Sequence, residues 1–299
     1  MVELRTLQYF VQTVDAGTVT AAADRLHITQ PGLSRQLRQL EQELGVELFH
    51  RTGGRLTPTR AGQALLPLAQ EVLERADALR VAATYQARGR LDRLTIGAPL
   101  TTLRDVVAPF IATLDADDPI PEVFQADGQT AAEVLGRGAD LAVTSTAAGA
   151  PYESTTLAVL PVWACVPADH RWARRARLRL AELVEEPAER LILPPATFNS
   201  RSSLDAALRR ADRSYQRPIE AADGTVAQAL AAAGRGVAVV SDDPQFGLRA
   251  LPVQTDDGKL SVRLVSAWDS RHPARAALAH IADRLSQFVA TRYHVGNDT

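Results

Sequence analysis

The stretch of sequence that decides the fold is TVTAAADRLHITQPGLSRQLRQLEQELG, residues 18–45. It predicts two short helices that are joined by a tight turn. In the second helix, leucines recur every three or four residues and share one face; they are Leu33, Leu37, Leu40 and Leu44. The opposite face carries Pro31, Ser34, Arg35, Arg38 and Gln42. A helix that docks through leucines and exposes serine, arginine and glutamine has the chemistry to contact phosphates and base edges in a DNA major groove.

The sequence on either side predicts further parts of a DNA-binding headpiece. An apolar stripe in residues 4–14 predicts a preceding helix that ends at Gly17. Residues 46–59, VELFHRTGGRLTPT, predict a small hairpin with Arg51 and Arg55 near its tip. Alone, this hairpin would be interpreted as a surface turn with solvated arginines. Beside a helix-turn-helix, however, a basic wing usually contacts phosphate.

Residues 59–88 predict one long helix after the hairpin. Its apolar residues alternate in steps of four and three, a pattern typical of a helix-pairing seam; they are Leu65, Ala69, Val72, Ala76, Leu79 and Ala83. Pro67 lies near the start and should perturb the first turns. We interpret the seam as a dimerisation surface. The alternative is a helix that packs only on its own domain.

From residue 91 onward, short apolar runs alternate with helical segments. This spacing predicts parallel sheets with helices on their faces. We expect two similar α/β lobes joined by extended crossovers near Pro161 and Val262. Lobe I would comprise residues of about 91–161 and 263–292, and lobe II residues of about 162–262. The whole chain then divides into residues 1–58, 59–88 and 89–299.

The first sixty residues resemble the LysR-type transcriptional regulators. The resemblance rests on residues in the family's order and spacing: Leu7-Gln8-Tyr9-Phe10, Ala21-Ala22, Gln30-Pro31, Leu33-Ser34, Leu40-Glu41, Leu44-Gly45, Leu48-Phe49, Arg51, Thr59 and Ala61-Gly62. Pro58 stands where the family usually has leucine, so the wing's return strand should be shorter. The resemblance implies an N-terminal winged helix-turn-helix, a long linker helix, and a two-lobed α/β effector-binding domain similar to periplasmic binding proteins.

The resemblance also implies which residues contact DNA. They are Thr20, Thr29, Gln30, Pro31, Ser34, Arg35 and Arg38 on the helices, with Arg51 and Arg55 on the wing. Family members commonly assemble as dimers of dimers, so we expect a homotetramer that binds a partly dyad-symmetric operator in double-stranded DNA. Contact with RNA polymerase is a further expectation.

Ligands of open α/β sheets bind at the carboxyl ends of strands and at helix N-termini. Hydroxyl-rich clusters occupy those positions here, and the candidate effector-binding residues are Thr101, Thr102, Thr144, Ser145, Thr146, Phe198, Asn199, Ser200 and Thr225. Any one hydroxyl could simply cap a helix. Four clusters that converge on one cleft favour a small-molecule site, and we expect an anion such as a carboxylate.

The composition restricts the other classes of function. A net charge of −2 means that any nucleic-acid contact is local. The six histidines are scattered without metal-ligand spacing, and the single cysteine, Cys165, excludes an internal disulfide and a thiol-pair peroxide sensor. We therefore expect no catalytic residues, no metal and no cofactor. No apolar run reaches the length of a membrane span, so we expect no membrane partner and a cytoplasmic location.

Two alternatives remain open at this point. One is an enzyme, although no nucleophile with a base, paired carboxylates or phosphate loop is recognisable. The other is an architectural DNA-binding protein without a ligand. The second alternative predicts broad DNA binding and no ligand-induced change.

Overall fold

The computed structural model describes residues 2–52, 55–185 and 189–293. The tip of the predicted hairpin, Gly53 and Gly54, lies outside the described residues, as do the side chains of Arg51 and Arg55. The chain divides into two compact units, Met1–Ala87 and Arg88–Thr299. Among the described residues, every helix is too short or too polar to cross a membrane.

The first unit contains three helices, a hairpin and most of a long fourth helix. The elements are α1 (Leu4–Ala16), α2 (Val19–Arg25), α3 (Gln30–Leu44), β1 (Phe49–Thr52), β2 (Arg55–Pro58) and α4 (Arg60–Arg88). Local capping sets the helix boundaries. The hydroxyl of Thr18 accepts the amide N–H of Ala21 at 3.2 Å, and that of Thr29 accepts the N–H of Gly32 at 3.3 Å. Gly17 and Gly45 end α1 and α3 with positive φ angles of 69° and 71°.

The core of this unit is formed where α1, α2, α3 and the hairpin meet. Phe10 and Phe49 pack edge to face with their ring centroids 5.6 Å apart. Pro58 is the last residue of β2 and pairs with Phe49, so the return strand is as long as its partner. The expected shortening was wrong, because proline at the end of a two-stranded hairpin leaves the other pairs intact.

Helix α4 corrects two further expectations. It continues unbroken through Pro67, because one missing hydrogen bond is tolerated within 29 helical residues. Ala69 is buried in the headpiece core, and Leu65 packs against the same core. Neither is therefore free for a pairing seam. Among the described residues, the exposed large apolar side chains of α4 are Leu68 and two members of the predicted seam, Val72 and Leu79.

The second unit contains two mixed sheets. The first sheet and its helices form lobe I: β3 (Arg93–Ala98), α5 (Leu100–Thr102), a π-helical segment (Leu103–Val107), α6 (Ala108–Ile111), β4 (Ile120–Gln125), α7 (Ala131–Gly136), β5 (Leu141–Thr144), β6 (Tyr152–Pro161), β14 (Ser261–Asp269) and α11 (Arg275–Tyr293). Its strand order is β4-β3-β5-β14-β6. β3 is parallel to β4 and β5, whereas β14 is antiparallel to β5 and β6.

The second sheet and its helices form lobe II. They are β7 (Trp163–Val166), β8 (Leu178–Arg179), α8 (Leu180–Val184), β9 (Leu191–Leu193), α9 (Asn199–Arg210), β10 (Ile219–Glu220), α10 (Gly224–Ala232), β11 (Val237–Val240), β12 (Arg249–Thr255) and β13 (Gly258–Lys259). The strand order is β10-β9-β11-β7-β12-β13, with β8 beside β12. β9 is parallel to β10 and β11, and β7 is antiparallel to β11 and β12.

The expectation of parallel sheets was therefore only partly correct. The chain enters β7 and β14 directly from the extended crossovers, without an intervening helix, and both strands run antiparallel to their neighbours. The two crossovers lie side by side. The amide N–H of Val162 donates to the carbonyl of Leu260 at 2.8 Å, and Pro161 pairs with Ser261. Both connections between the lobes thus lie at one place.

Candidate functional site

Helix α3 presents the polar face that the sequence predicts. Leu33, Leu37 and Leu40 are at most 1% exposed. On the other side, Gln30, Pro31, Arg35 and Arg38 are exposed, and Ser34 is half-buried. The guanidinium Nε of Arg38 donates to the carbonyl of Ser34 at 3.2 Å, which leaves its terminal amino groups available to a nucleic acid. The face therefore combines the donors that read base edges with a rigid attachment to the core.

The remaining predicted DNA contacts lie around this face. Thr29 is exposed and already caps α3, while Thr20 is exposed on α2, where Thr18 provides the cap. In the hairpin, the backbone places Arg55 opposite Thr52, and Arg51 opposite Leu56. The structure thus brings the predicted positions onto α2, α3 and a wing.

Glu41 is a residue of this site whose role was not predicted. Its carboxylate Oε1 accepts the amide N–H groups of Leu48 at 2.9 Å and Phe49 at 3.3 Å. These donors begin the wing, so a side chain of α3 holds the wing in place. Leu40-Glu41 is one of the motifs on which the family resemblance rests, but its spacing from the wing does not predict this contact.

The second candidate site is a cavity of about 40 Å³ between lobes I and II. Four predicted residues line it, namely Thr101, Thr102, Phe198 and Asn199. Other parts of its wall come from Pro99, Asp105, Val106, Leu160, Ser241, Val262, Leu264 and Tyr293. Pockets that bind small molecules usually have volumes of roughly 300–1,000 Å³. The cleft is therefore narrow in this structure.

The other predicted ligand residues do not line this cavity. Thr144 is 2% exposed and donates to the carbonyl of Thr146 at 3.0 Å, so its hydroxyl serves the local turn. Ser200 is also buried. Ser145 and Thr146 border a separate open groove, and the Ser145 hydroxyl donates across the cleft to Asn199 Oδ1 at 3.0 Å. Thr225 accepts a hydrogen bond from Arg104.

A charged cluster beside the cavity was missed entirely. Arg104, in the π-helical segment of lobe I, donates to Asp242 of lobe II at 2.6 Å and to both oxygens of Asp105 at 2.7 and 2.8 Å. Asp105 Oδ2 also accepts the amide N–H of Asp243 at 3.1 Å. The pair Arg104 and Asp105 lies 138 positions from the pair Asp242 and Asp243, and no local pattern indicates their contact. A π-helical segment frequently marks a functional position.

Burial controls the protonation of several nearby groups. It raises the pKa of Asp242, although hydrogen bonding to Arg104 opposes the shift. Burial also raises the pKa of the Cys165 thiol to about 12. That thiol is fully buried and therefore neutral at physiological pH. Among the described residues, the acidic, histidine and cysteine side chains form no group that could hold a metal ion.

The two sites together define a class of protein. A winged helix-turn-helix with a donor-rich outer face binds DNA. A two-lobed α/β module whose cleft combines apolar walls with a few polar side chains is typical of small-molecule recognition. The class is therefore that of ligand-responsive DNA-binding regulators.

Comparison with known proteins identifies the family. Residues 4–63 match the model described as bacterial regulatory helix-turn-helix protein, lysR family, and residues 87–290 match the LysR substrate binding domain. The transcriptional regulator CysB of Burkholderia cenocepacia is 32% identical over 248 residues, which are 79% of this chain and 78% of that protein. The chain belongs to the LysR family, and it is a transcriptional regulator with a DNA-binding and a ligand-binding domain.

Solved structures show the same fold over the whole chain. Full-length OxyR from Pseudomonas aeruginosa superposes with a TM-score of 0.66 at 21% identity, covering 97% of this chain and 95% of that chain. Full-length CbnR in complex with its target DNA gives a TM-score of 0.65 at 22% identity, covering 95% and 100%.

Proposed function

We propose that this regulator binds a partly dyad-symmetric operator through α3 and the wing, and that a small anionic ligand alters this binding by opening the interlobe cleft. The observation that carries the proposal is the narrow cavity of about 40 Å³ between the lobes, with hydroxyl, amide and apolar side chains in its wall, in a chain that also exposes a DNA-reading helix. A metabolite usually needs a larger pocket, so we expect the lobes to separate when it binds. Ligand binding and lobe movement are therefore coupled.

The proposed DNA contacts follow from side-chain chemistry. Arg35 and Arg38 can donate two hydrogen bonds to guanine, Gln30 suits adenine, and Pro31 can contact a thymine methyl group. We assign contacts with nearby bases or with the DNA backbone to Ser34, Thr29 and Thr20. The wing positions Arg51 and Arg55 are assigned to phosphates. The structural neighbour CbnR has been solved in complex with its target DNA, which supports DNA binding by this fold.

Several copies are needed for useful affinity. The net charge of −2 provides little general attraction to DNA, so one headpiece would bind weakly. Joining headpieces in a dimer of dimers raises the effective concentration at a two-part operator. We place this homotetramer in the cytoplasm, where its DNA complex contacts RNA polymerase. The proposed domains are the headpiece 1–58, the linker 59–88 and the effector-binding domain 89–299.

The relatives are transcriptional regulators and do not favour an enzyme. The buried Cys165 thiol also differs from what a thiol sensor needs. Such a sensor requires an accessible thiolate, whereas burial keeps this thiol protonated. A reversible small ligand in the cleft therefore explains the two-lobed domain better.

The DNA contact is tested with operators selected from random duplex DNA by the full-length protein. Arg38→Ala should weaken binding by about 1–3 kcal/mol and relax the preference at one base pair. Arg5→Ala is the matched control, because Arg5 is an exposed arginine on α1. A uniform loss over all sequences would assign Arg38 to a phosphate, and unchanged binding would contradict the proposed DNA face.

The ligand response is tested by DNase footprinting on the same operator with a panel of carboxylic acids. We expect at least one acid to change the footprint and to raise the melting temperature. An unchanged footprint and unchanged melting temperature across the panel would count against a carboxylate effector.

A further inference from the structure

Arg104 connects the two lobes next to the cavity. Its Nη2 lies 2.6 Å from Asp242 Oδ1, and its Nη1 donates to Thr225; both partners belong to lobe II. Asp105 and Ser241, the chain neighbours of Arg104 and Asp242, line the cavity wall. Separating the lobes must therefore break the contacts of Arg104 with lobe II.

The two carboxylates on Arg104 are held differently. Asp105 is the next residue in the chain, accepts two bonds from Arg104, and moves with it in lobe I. Asp242 comes from the opposite lobe and uses only Oδ1 on Arg104. Asp242 is therefore the partner that can be exchanged without disturbing lobe I.

The environment of Asp242 favours such an exchange. The residue is 1% exposed, and its Oδ2 has no hydrogen-bond partner among the described residues. Its carboxylate lies against the backbone of Gly224, where an added Cβ would meet it at 2.1–2.2 Å. A buried carboxylate with an unsatisfied oxygen is unfavourable. The raised pKa of Asp242, caused first by burial, agrees with this cost.

Other charges around the pair are already matched. Arg292 of α11 bonds Asp243 at 2.9 Å, and the Tyr293 hydroxyl donates to the backbone carbonyl of Asp105 at 3.1 Å. The side chains that line the cavity include Asp105 and, within the described part of the chain, no arginine or lysine. Arg104 lies behind this wall next to Asp105, so an acid ligand reaches its guanidinium once the contacts of Arg104 with lobe II open.

We propose that Arg104 binds the carboxylate of the ligand, and that in the closed arrangement Asp242 holds this same place. A ligand carboxylate replaces Asp242 on Arg104 and thereby breaks one of the bonds between the lobes, which favours opening of the cleft around the rest of the ligand. This inference rests on the proposed anionic effector and names the residue that receives it. It also explains how an acid can bind beside Asp105.

The test measures the distance between the lobes in the full-length protein. Spin labels are attached through Ala132→Cys on α7 of lobe I and Ala229→Cys on α10 of lobe II, both exposed positions. Cys165 is buried and its thiol is neutral, so it does not take the label. Pulsed electron paramagnetic resonance then gives the distribution of distances between the two labels, and it requires neither DNA nor the natural ligand.

Asp242→Ala should shift the distances, because the bond from Arg104 to that carboxylate is lost. Sodium acetate is the probe in the labelled protein that retains Asp242: it should take the place of Asp242 on Arg104 and shift the distribution in the same direction as Asp242→Ala. Sodium chloride at equal ionic strength should not. In Arg104→Gln combined with Asp242→Ala, acetate should have no effect, since its binding partner is absent.

Arg284→Gln is the control for loss of an arginine. Arg284 has the same 31% side-chain exposure as Arg104, but its partner Asp118 lies in the same lobe, so the distances should not change. If Asp242→Ala lowers the melting temperature strongly, Asp242→Asn replaces it in the experiment, because asparagine preserves the side-chain volume.

An unchanged distribution in both Asp242 variants would overturn the cross-lobe role. Distances that acetate leaves unchanged in the protein with native Arg104 and Asp242 would overturn the carboxylate site on Arg104. The interlobe distances can be measured whatever the result of the footprinting experiment. The proposed carboxylate effector and the proposed role of Arg104 can therefore fail separately.

Discussion

At the scale of single residues, two aspartates show how burial decides the effect of an ion pair. Asp118 and Asp242 each accept hydrogen bonds from an arginine. The bond from Arg284 dominates at Asp118 and lowers its pKa below the ordinary value of 3.8. At Asp242 the burial dominates and raises the pKa. The same pairing therefore has opposite consequences for proton binding.

The pKa of Asp118 predicts a pH-dependent contribution to stability. Because the folded-state pKa is lowered, the Asp118–Arg284 pair stabilises the fold at pH values above the ordinary value. The contribution is lost as the pH falls through the lowered pKa. Asp118→Asn should thus reduce the free energy of unfolding near neutral pH and have progressively less effect on acidification, as measured by denaturant unfolding at several pH values.

Asp117→Asn is the neighbouring control. The Asp117 side chain is 95% exposed in its contact with Arg90, so its replacement should change stability little at any pH. A loss in Asp118→Asn that is equal at acidic and neutral pH would contradict an ionic origin.

The placement of residues that a local sequence pattern determines could be predicted. Contacts between residues far apart in the sequence could not. The leucines of α3 and the polar residues opposite them follow directly from helical periodicity. Thr101, Thr102 and Asn199 were found because strand ends and helix starts are visible in the sequence. Arg104 and Asp242 escaped prediction, since an arginine and an aspartate 138 positions apart look like ordinary surface charges until the fold joins them.

At the scale of elements, α3 and the wing behave as one unit. Glu41 lies on α3, and its carboxylate accepts the N–H groups of Leu48 and Phe49, both of which are buried. Thr59 closes the other end of the hairpin by donating to the carbonyl of Glu47 at 2.6 Å. The orientation of the wing therefore depends on side chains outside it.

Replacing Glu41 should loosen the wing. Glu41→Ala leaves two amide donors without this acceptor and should destabilise the headpiece by about 1–3 kcal/mol. It should also weaken operator binding, because the wing arginines lose their position. Glu41→Gln keeps one acceptor oxygen and should show a smaller effect on both the melting temperature and the dissociation constant.

Glu43→Ala provides the matched control on the same helix. Glu43 is exposed and accepts a bond from Gln39 at 3.2 Å, so its loss should matter little. Equal effects of the Glu41 and Glu43 replacements would exclude a specific contact between α3 and the wing.

The elements also show which structural features a short stretch of sequence determines. The ends of α2 and α3 are set by neighbouring residues, namely Thr18, Thr29 and Gly45, so residues 18–45 alone predict where these two helices lie. The direction of β7 and β14 depends on how the crossovers return to each sheet, which periodicity does not encode. The π-helical segment that carries Arg104 likewise has no simple sequence pattern.

At the scale of the whole molecule, the exposed apolar stripe of α4 is the feature that a single chain leaves unexplained. Leu68, Val72 and Leu79 are 55%, 44% and 70% exposed on this helix. They recur at spacings of four and seven, which places them on one face. Because Ala69 is buried in the headpiece core and Leu65 packs against that core, we predict a pairing surface around Leu68, Val72 and Leu79 that is rotated from the heptad seam.

Introducing a charge into this stripe should separate the copies. Leu79→Glu places a carboxylate where two apolar faces would meet, and we expect the mass measured by sedimentation to fall. Operator affinity should fall with it, because each half of the operator is then bound independently. Gln70→Glu adds the same charge at an exposed position on another face of α4 and should leave the mass unchanged. If Leu79→Glu retains the wild-type mass at low protein concentration, the copies associate through a different surface. If both variants dissociate, charge on α4 rather than the apolar stripe controls assembly.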